Sequence, residues 1–112
     1  MELPELGDLV WLEFSPNRGH EQSGRRPAIV LSPRVFHERS TMMVVCPITS
    51  RERGWPTEVK LPPDLPVSGV VLIDQIRSLD RTARYLEIIG PVPQGVLDEI
   101  GAKLTALLSL NA

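Results

Sequence analysis

The chain has 112 residues, of which 42% are apolar and 23% charged, and its formal net charge is −2. This length suits one domain, residues 1–112, and the longest apolar runs, such as "GVVLI", are too short to cross a membrane. The start "MELPELGD" lacks the basic and apolar regions of a signal peptide, and the lone Cys46 cannot form an internal disulfide. We therefore expect a cytoplasmic protein without membrane segments.

Eleven prolines and eight glycines predict short elements joined by many turns, hence a β-rich chain. In chain order, strands are predicted in "DLVWLEF", "PAIVLS", "TMMVVCPIT", "TEVKL" and "RYLEIIG", while "VVLIDQIRSLD" predicts one long strand or two short ones. The segment "PRVFHERS" is ambiguous between a loop and one helical turn. Trp11 is expected in the core, and Cys46, inside an apolar run, is expected there rather than as a nucleophile.

The tail "PQGVLDEIGAKLTALLSL" differs from the rest because its apolar residues recur at helical spacing. These residues are Val96, Leu97, Ile100, Leu104, Leu107 and Leu108. The predicted fold is therefore mainly β: a small, partly open barrel of about six or seven strands with a C-terminal α-helix.

Positive charge is concentrated in the middle of the chain. Residues 18–60 carry eight bases against four acids, whereas residues 1–17 carry four acids and no base. Most of these bases are Arg, whose planar fork of donors suits phosphate groups. A local basic face can bind nucleic acid on an acidic protein, although a solvated, mixed-charge surface would give the same pattern.

The sequence offers little for metal or nucleotide binding. It has two His and one Cys, with no ligand spacing typical of zinc, and no glycine-rich phosphate loop. We expect no metal and no cofactor.

Polar residues cluster instead at the ends of three predicted strands. They are His20, Glu21, Arg25 and Arg26 before the second strand, Thr49 and Ser50 after the third, and Asp74, Gln75, Arg77 and Ser78 after "GVVLI". If these strands are neighbours, the three groups converge at one end of the barrel. Guanidinium, carboxyl and hydroxyl groups without a metal suit cleavage of RNA, which supplies its own nucleophile, the 2′-hydroxyl.

The opening "GDLVWLEFSPNRGHEQSGRRPAIVLSP" resembles the start of the MazF/PemK (Kid) toxin family, whose pattern is "GDxxWxxFdPxxGxEQxGxRPaxVlS". The resemblance continues through "VVCPITS", "GWPTEV" and "GVVLIDQIRSLDRTAR" to the tail. It implies an SH3-like, CcdB-like barrel and the toxin of a type II toxin–antitoxin system. Such a toxin is a homodimeric, metal-independent, sequence-specific endoribonuclease that cuts single-stranded mRNA, leaves a 2′,3′-cyclic phosphate and a 5′-hydroxyl, and inhibits translation and growth. A MazE-like antitoxin with an acidic, disordered tail would neutralise it.

The resemblance also implies roles for individual residues. Arg26, Thr49 and Glu21 match catalytic positions; Arg26 would stabilise charge at phosphorus, while Glu21 would act as base or orient Arg26. The RNA-contacting candidates are His20, Gln22, Arg25, Ser50, Trp55, Asp74, Gln75 and Arg77. PemK-like members carry an Arg where this chain has Ile73, so the MazF-like branch is expected.

Two other functions remain to be compared with RNA cleavage. CcdB-like toxins on a related fold bind a protein target such as DNA gyrase and cut nothing, and they have no need of Arg26 with Thr49. An SH3-type peptide binder needs clustered aromatic residues, which the five scattered aromatics of this chain do not provide. The cleavage motif would be set by the loops "PNRGHEQSGR" and "SRERGWP", which cannot be decoded from sequence.

Overall fold

The computed structural model describes residues 2–14 and 24–110, which form seven strands and two α-helices. The strands are β1 (Asp8–Glu13), β2 (Arg25–Val30), β3 (Met42–Thr49), β4 (Glu58–Lys60), β5 (Val70–Leu72), β6 (Arg77–Asp80) and β7 (Leu86–Pro91). The helices are α1 (Arg34–His37) and α2 (Gln94–Leu107), and short 3-10 turns cover Ile73–Gln75 and Arg81–Ala83. The predicted mainly β fold with a C-terminal helix is confirmed.

All pairing between the described strands is antiparallel. Strand β3 is central, because it pairs with β2, β5 and β6. The hydrogen-bonded order is β4-β5-β3-β2-β1-β7, with β6 also paired to β3. The first half of β3 pairs with β6, whereas Ile48 and Thr49 at its end pair with β5. Because β4 and β7 lie at opposite ends of this order, the sheet is not closed into a complete barrel in the part of the chain that the structure describes.

Apolar residues on both faces of the sheet are buried in two clusters. Along β1, Leu9 belongs to one cluster, while Val10 and Leu12 belong to the other, because successive side chains point to opposite faces. The first cluster is closed by α2, through Val96 and Ile100. Full burial of each such side chain stabilises the fold by about 1.5–3 kcal/mol.

Helix α2 packs against the first core cluster from Val96 to Leu104. Val96 and Ile100 are buried, and Leu97 and Leu104 pack against the same cluster. At the C-terminal end of the apolar stripe the side chains are not covered by the sheet, since Leu107 and Leu108 are 44% and 52% exposed. Neither this helix nor any other among the described residues is long and apolar enough to span a bilayer.

Two ambiguous segments are resolved by the structure. "VVLIDQIRSLD" forms two strands, β5 and β6, because the 3-10 turn Ile73–Gln75 interrupts it. "PRVFHERS" contains one helical turn, α1. Its His37 is buried, with Nδ1 bound to the Pro4 carbonyl and Nε2 bound to the Ser32 hydroxyl, each at 2.7 Å.

The expectation that Trp11 is a core residue is wrong. Trp11 is 39% exposed, although Leu9 on the same face of β1 is completely buried. Alternation along a strand predicts which face a side chain takes, but the extent of the cover over that face depends on elements far away in sequence.

Candidate active site

Arg26 near the start of β2 and Thr49 at the end of β3 lie in the same part of the sheet. In the pairing of β2 with β3, Ala28 lies opposite Pro47. Arg26 lies two residues before this pair and Thr49 two residues after it, so both stand at the same end of the two antiparallel strands. Both residues line one cleft of about 380 Å³, here called the arginine cleft.

The arginine cleft combines cationic, hydroxyl and apolar surfaces. Its lining residues are Trp11, Arg25, Arg26, Pro27, Ile48, Thr49, Ser50, Pro66, Val67 and Ser68. Two guanidinium groups in one cleft create a positive field suited to a phosphate backbone, and Trp11 offers an exposed ring beside them.

Thr49 is oriented by the chain that follows it. Its Oγ1 accepts a hydrogen bond of 3.2 Å from the backbone N–H of Arg51. A hydroxyl that accepts one bond can still donate its proton to another group. Thr49 can therefore present a donor to an anionic oxygen in the cleft.

A second cleft of about 350 Å³, here called the loop cleft, adjoins the first at Thr49. It is lined by Thr49, Arg51, Arg53, Trp55, Glu58, Leu72, Asp74 and Gln75. The turn Ile73–Gln75 supplies two of these polar groups, and its Ile73 is completely buried in the core. The side chain at the position where PemK-like toxins carry an Arg therefore faces the core.

Arg25 is held against an aromatic ring at the sheet surface. Its guanidinium carbon lies 3.7 Å from the centre of the Tyr85 ring, and the Tyr85 hydroxyl donates to Glu87 at 2.6 Å. That hydrogen bond to Glu87 is the main cause of a raised pKa of Tyr85. Arg25 thus lines the arginine cleft with its guanidinium group held in place by the Tyr85 ring.

Arg77 is not brought to either cleft. Its guanidinium carbon lies 6.0 Å from the Phe14 ring centre, and the residue pairs with Val45 in the sheet. Its predicted contact with RNA remains a prediction. His20, Glu21 and Gln22 lie outside the described residues, so their predicted roles also remain predictions.

Four charged or aromatic residues that line the clefts were not among the predicted site residues: Trp11, Arg51, Arg53 and Glu58. The alternation of "TEVKL" allows either face of the strand to be covered, so it did not reveal that Glu58 is only 6% exposed. The two arginines of "SRERGWP" closely precede a Trp in sequence, and this was the available signal for a binding loop.

Cys46 is a core residue, as expected. It is completely buried, and burial is the main cause that raises the pKa of its thiol to about 12. A thiol that keeps its proton is a poor nucleophile. Within residues 2–14 and 24–110, no group of three or more His, Cys, Asp and Glu side chains is arranged to hold a metal ion.

Comparison with known protein families shows the family of this chain. Residues 5–108 match the family described as the PemK-like, MazF-like toxin of type II toxin-antitoxin systems. The chain belongs to this toxin family. The MazF/PemK membership predicted from the opening residues is thereby confirmed.

Individual MazF proteins are similar over almost their whole length. The endoribonuclease toxin MazF of Escherichia coli (strain K12) is 39% identical over 106 residues, which are 95% of each chain. The crystal structure of MazF from Deinococcus radiodurans superposes with a TM-score of 0.93 at 50% identity, covering 98% of this chain and all of that one. A MazE-MazF structure from the same organism matches with a TM-score of 0.88 at 50% identity, covering 99% and 100%.

Proposed function

We propose that this MazF-like toxin is an endoribonuclease that cuts single-stranded RNA in the arginine cleft. The observation that carries the proposal is the placement of Thr49 at the junction of two clefts, with Arg26 in one and Asp74 and Gln75 in the other. A phosphodiester bound at Thr49 would meet a cation on one side and base-reading groups on the other. The relatives of this chain include proteins named endoribonuclease MazF.

The chemistry follows from the groups present. The 2′-oxygen of the substrate attacks phosphorus, the bond from phosphorus to the 5′-oxygen breaks, and a 2′,3′-cyclic phosphate and a 5′-hydroxyl result. Arg26 stabilises the negative charge that develops on the phosphate oxygens, and Thr49 donates a hydrogen bond to one of them. The 2′-hydroxyl proton passes to a base, for which Glu21 is the candidate; its other role would be to orient Arg26. The 5′-oxygen takes up a proton from solvent water as it leaves, which gives the 5′-hydroxyl.

The remaining polar residues are proposed to bind the strand. Arg25 and Ser50 lie in the arginine cleft, where they would contact a phosphate next to the scissile one. Asp74, Gln75 and Trp55 lie in the loop cleft, where unpaired bases expose their edges and faces. His20, Gln22 and Arg77 are proposed as further RNA contacts on the resemblance alone.

We also propose the partners and the compartment that the family resemblance implies. An acidic antitoxin segment of the MazE type would cover the arginine cleft and compete with RNA for Arg25 and Arg26. The toxin would act as a homodimer in the cytoplasm, where its mRNA substrate is translated.

The test is digestion of a long single-stranded RNA in EDTA by the wild-type protein and by R26A and T49V. Arg34→Ala is the matched control, because Arg34 lies on α1, is 49% exposed and pairs with Glu38 at 3.6 Å. We expect cleavage at one short motif by the wild type and Arg34→Ala. Loss of a group that stabilises the transition state costs on the order of a hundred- to a thousand-fold in rate, so R26A should be nearly inactive.

The ends of the products are then mapped and tested for a cyclic phosphate. Failure of the folded wild-type protein to cut any RNA would overturn the proposal and favour a CcdB-like toxin that binds a protein such as gyrase. Full activity of R26A would overturn the assignment of Arg26 instead.

A further inference from the structure

Glu58 is a buried acidic residue whose carboxyl group is directed at the loop before it. The side chain of Glu58, at the start of β4, accepts hydrogen bonds from the backbone N–H of Arg53 at 3.1 Å and of Gly54 at 2.9 Å. Burial of a carboxyl group is costly unless it is hydrogen-bonded, and here the partners are backbone amides of residues 53 and 54. The two hydrogen bonds that offset the cost of burying Glu58 therefore also order this loop.

The shape of the loop depends on Gly54. Its φ of +75° lies in the left-handed region, and this turn lets two successive N–H groups converge on one acceptor. Such concave pairs of amides commonly bind an anion. In this chain the anion-binding position is filled by the protein's own Glu58.

The backbone of Glu58 completes the arrangement. Its N–H donates to the Trp55 carbonyl at 3.0 Å, so the carboxyl group and the amide of one residue hold residues 53 to 55. Its carbonyl in turn accepts a hydrogen bond of 2.6 Å from Nζ of Lys103 on α2. The loop is thus tied through Glu58 to the C-terminal helix.

In the loop held by Glu58, the side chains of Arg53 and Trp55 form one surface. The guanidinium carbon of Arg53 lies 4.9 Å from the centre of the Trp55 ring, and Trp55 is 51% exposed. Both residues line the loop cleft, together with Asp74 and Gln75. An exposed indole beside a stacked guanidinium is a suitable platform for a nucleobase, because every base has a π-face.

We propose that Glu58 is a positioning residue that holds the Arg53–Trp55 pair as the stacking platform for one RNA base beside Asp74 and Gln75. The inference rests on the proposed RNA cleavage. Glu58 does not line the arginine cleft, so its effect should fall on substrate binding and base preference and leave the chemical step at Thr49 intact. Under this proposal, the loop cleft is the part of the site that selects the RNA base.

The test uses steady-state cleavage of a short RNA that contains the motif found with the wild type. We expect E58A to raise KM by about 5- to 150-fold, the range of losing one stacked base, with kcat within about threefold of wild type. Glu58→Gln should recover part of the loss, because an amide oxygen can accept the two N–H bonds. Glu52→Ala is the matched control: Glu52 is an acid of the same loop, pairs with Lys60 at 3.5 Å on the surface, and should leave KM unchanged.

Trp55→Ala and the double variant with E58A separate positioning from general damage. If Glu58 acts only through the platform, the double variant should bind RNA no more weakly than Trp55→Ala alone, since the two changes remove the same interaction. Hydrogen exchange should show faster exchange of the Arg53 and Gly54 amides in E58A, with the core strands still protected. Additive losses, or an unchanged KM in a folded E58A protein, would overturn the proposal.

The outcome remains interpretable if the wild type cuts no RNA. In that case the proposed cleavage fails, and anisotropy of a labelled single-stranded RNA then decides on the platform. Weaker binding by E58A and Trp55→Ala than by wild type and Glu52→Ala would support it, and equal binding by all four proteins would overturn it.

Discussion

Gly69 lies directly against the backbone carbonyl of Thr49. A Cβ atom added at Gly69 would contact the Thr49 carbonyl oxygen and lie 2.8 Å from its carbonyl carbon, a distance that real Cβ atoms essentially never show. Gly69 also has φ +124°, a conformation that is open to glycine but not to residues with side chains. The position of Thr49 in both clefts therefore depends on a glycine in the β4–β5 connection.

Gly69→Ala is expected to destabilise the protein and to displace Thr49. Positive φ costs about 1–2 kcal/mol and overpacking against fixed backbone a further 1–3 kcal/mol, so the free energy of unfolding should fall by about 2–5 kcal/mol. Urea denaturation measures this fall, and RNA digestion below the melting temperature measures the loss of activity. Gly90→Ala is the control, because Gly90 also has positive φ but nothing lies within 4 Å of its added Cβ. An equal, small effect of both changes would contradict the close approach.

Trp11→Ala is expected to weaken RNA binding with little effect on folding. Trp11 is 39% exposed and lines the arginine cleft, where its ring can stack on a base next to the scissile phosphate. Loss of one stacked base corresponds to about 1–3 kcal/mol of binding free energy. Fluorescence anisotropy of a labelled RNA in an R26A background measures it without cleavage. Phe36→Ala, a change at a 38% exposed aromatic on α1, should not alter binding.

Thr82→Val is expected to raise the pKa of Asp80. The Thr82 side chain and backbone both donate to Asp80 Oδ1, at 2.7 and 3.0 Å, and the side-chain bond is the main cause that lowers the pKa of this exposed carboxyl below 3.8. A pKa lowered by folding contributes stability above the ordinary pKa, and this contribution is lost as pH falls through the folded-state value. The stability difference between wild type and variant should therefore be present at pH 7 and shrink below pH 4.

Carboxyl NMR titration of Asp80 and urea denaturation at both pH values check this expectation. Thr105→Val, at an exposed Thr of α2, is the control and should leave the Asp80 titration unchanged. A pKa of Asp80 that stays the same in Thr82→Val would assign the lowering to the other groups around it.

His37→Ala is expected to release the N-terminal segment from the sheet. His37 is 1% exposed and links the Pro4 carbonyl to the Ser32 hydroxyl, which in turn accepts from the Val44 amide at 2.9 Å. Loss of a buried ring and of both hydrogen bonds should lower the free energy of unfolding by about 2–5 kcal/mol. Urea denaturation measures the change, with Val35→Ala at a 57% exposed position of the same helix as control. Unchanged hydrogen exchange in residues 2 to 8 would count against the tether.

Local patterns in the sequence were enough to predict the elements. Alternation located β1, the apolar run located β3 with its buried Cys46, and helical spacing located α2, because each pattern depends on residues close together in the chain. The same spacing does not show that Leu107 and Leu108 are exposed, because their exposure depends on where the sheet beneath the helix ends.

The candidate site was predictable only in part. Arg26 and Thr49 were named from the family resemblance. The expected meeting of strand ends holds for Arg26, Thr49 and the turn with Asp74 and Gln75, but Arg77 and Ser78 pair with the first half of β3 instead. The sequence did not show that Glu58 is buried and that Trp11 is exposed, because both depend on what covers the strand.

By itself, the sequence determined the order of the elements, the family and the residues that can carry the chemistry, since these are properties of local spacing and residue type. Only the tertiary structure decided which of these residues meet. The register of β2 on β3 brings Arg26 to Thr49, the approach of Gly69 holds Thr49 in place, and the burial of Glu58 shapes the loop of Arg53 and Trp55. Each of these contacts joins elements through packing and pairing, which local spacing does not specify.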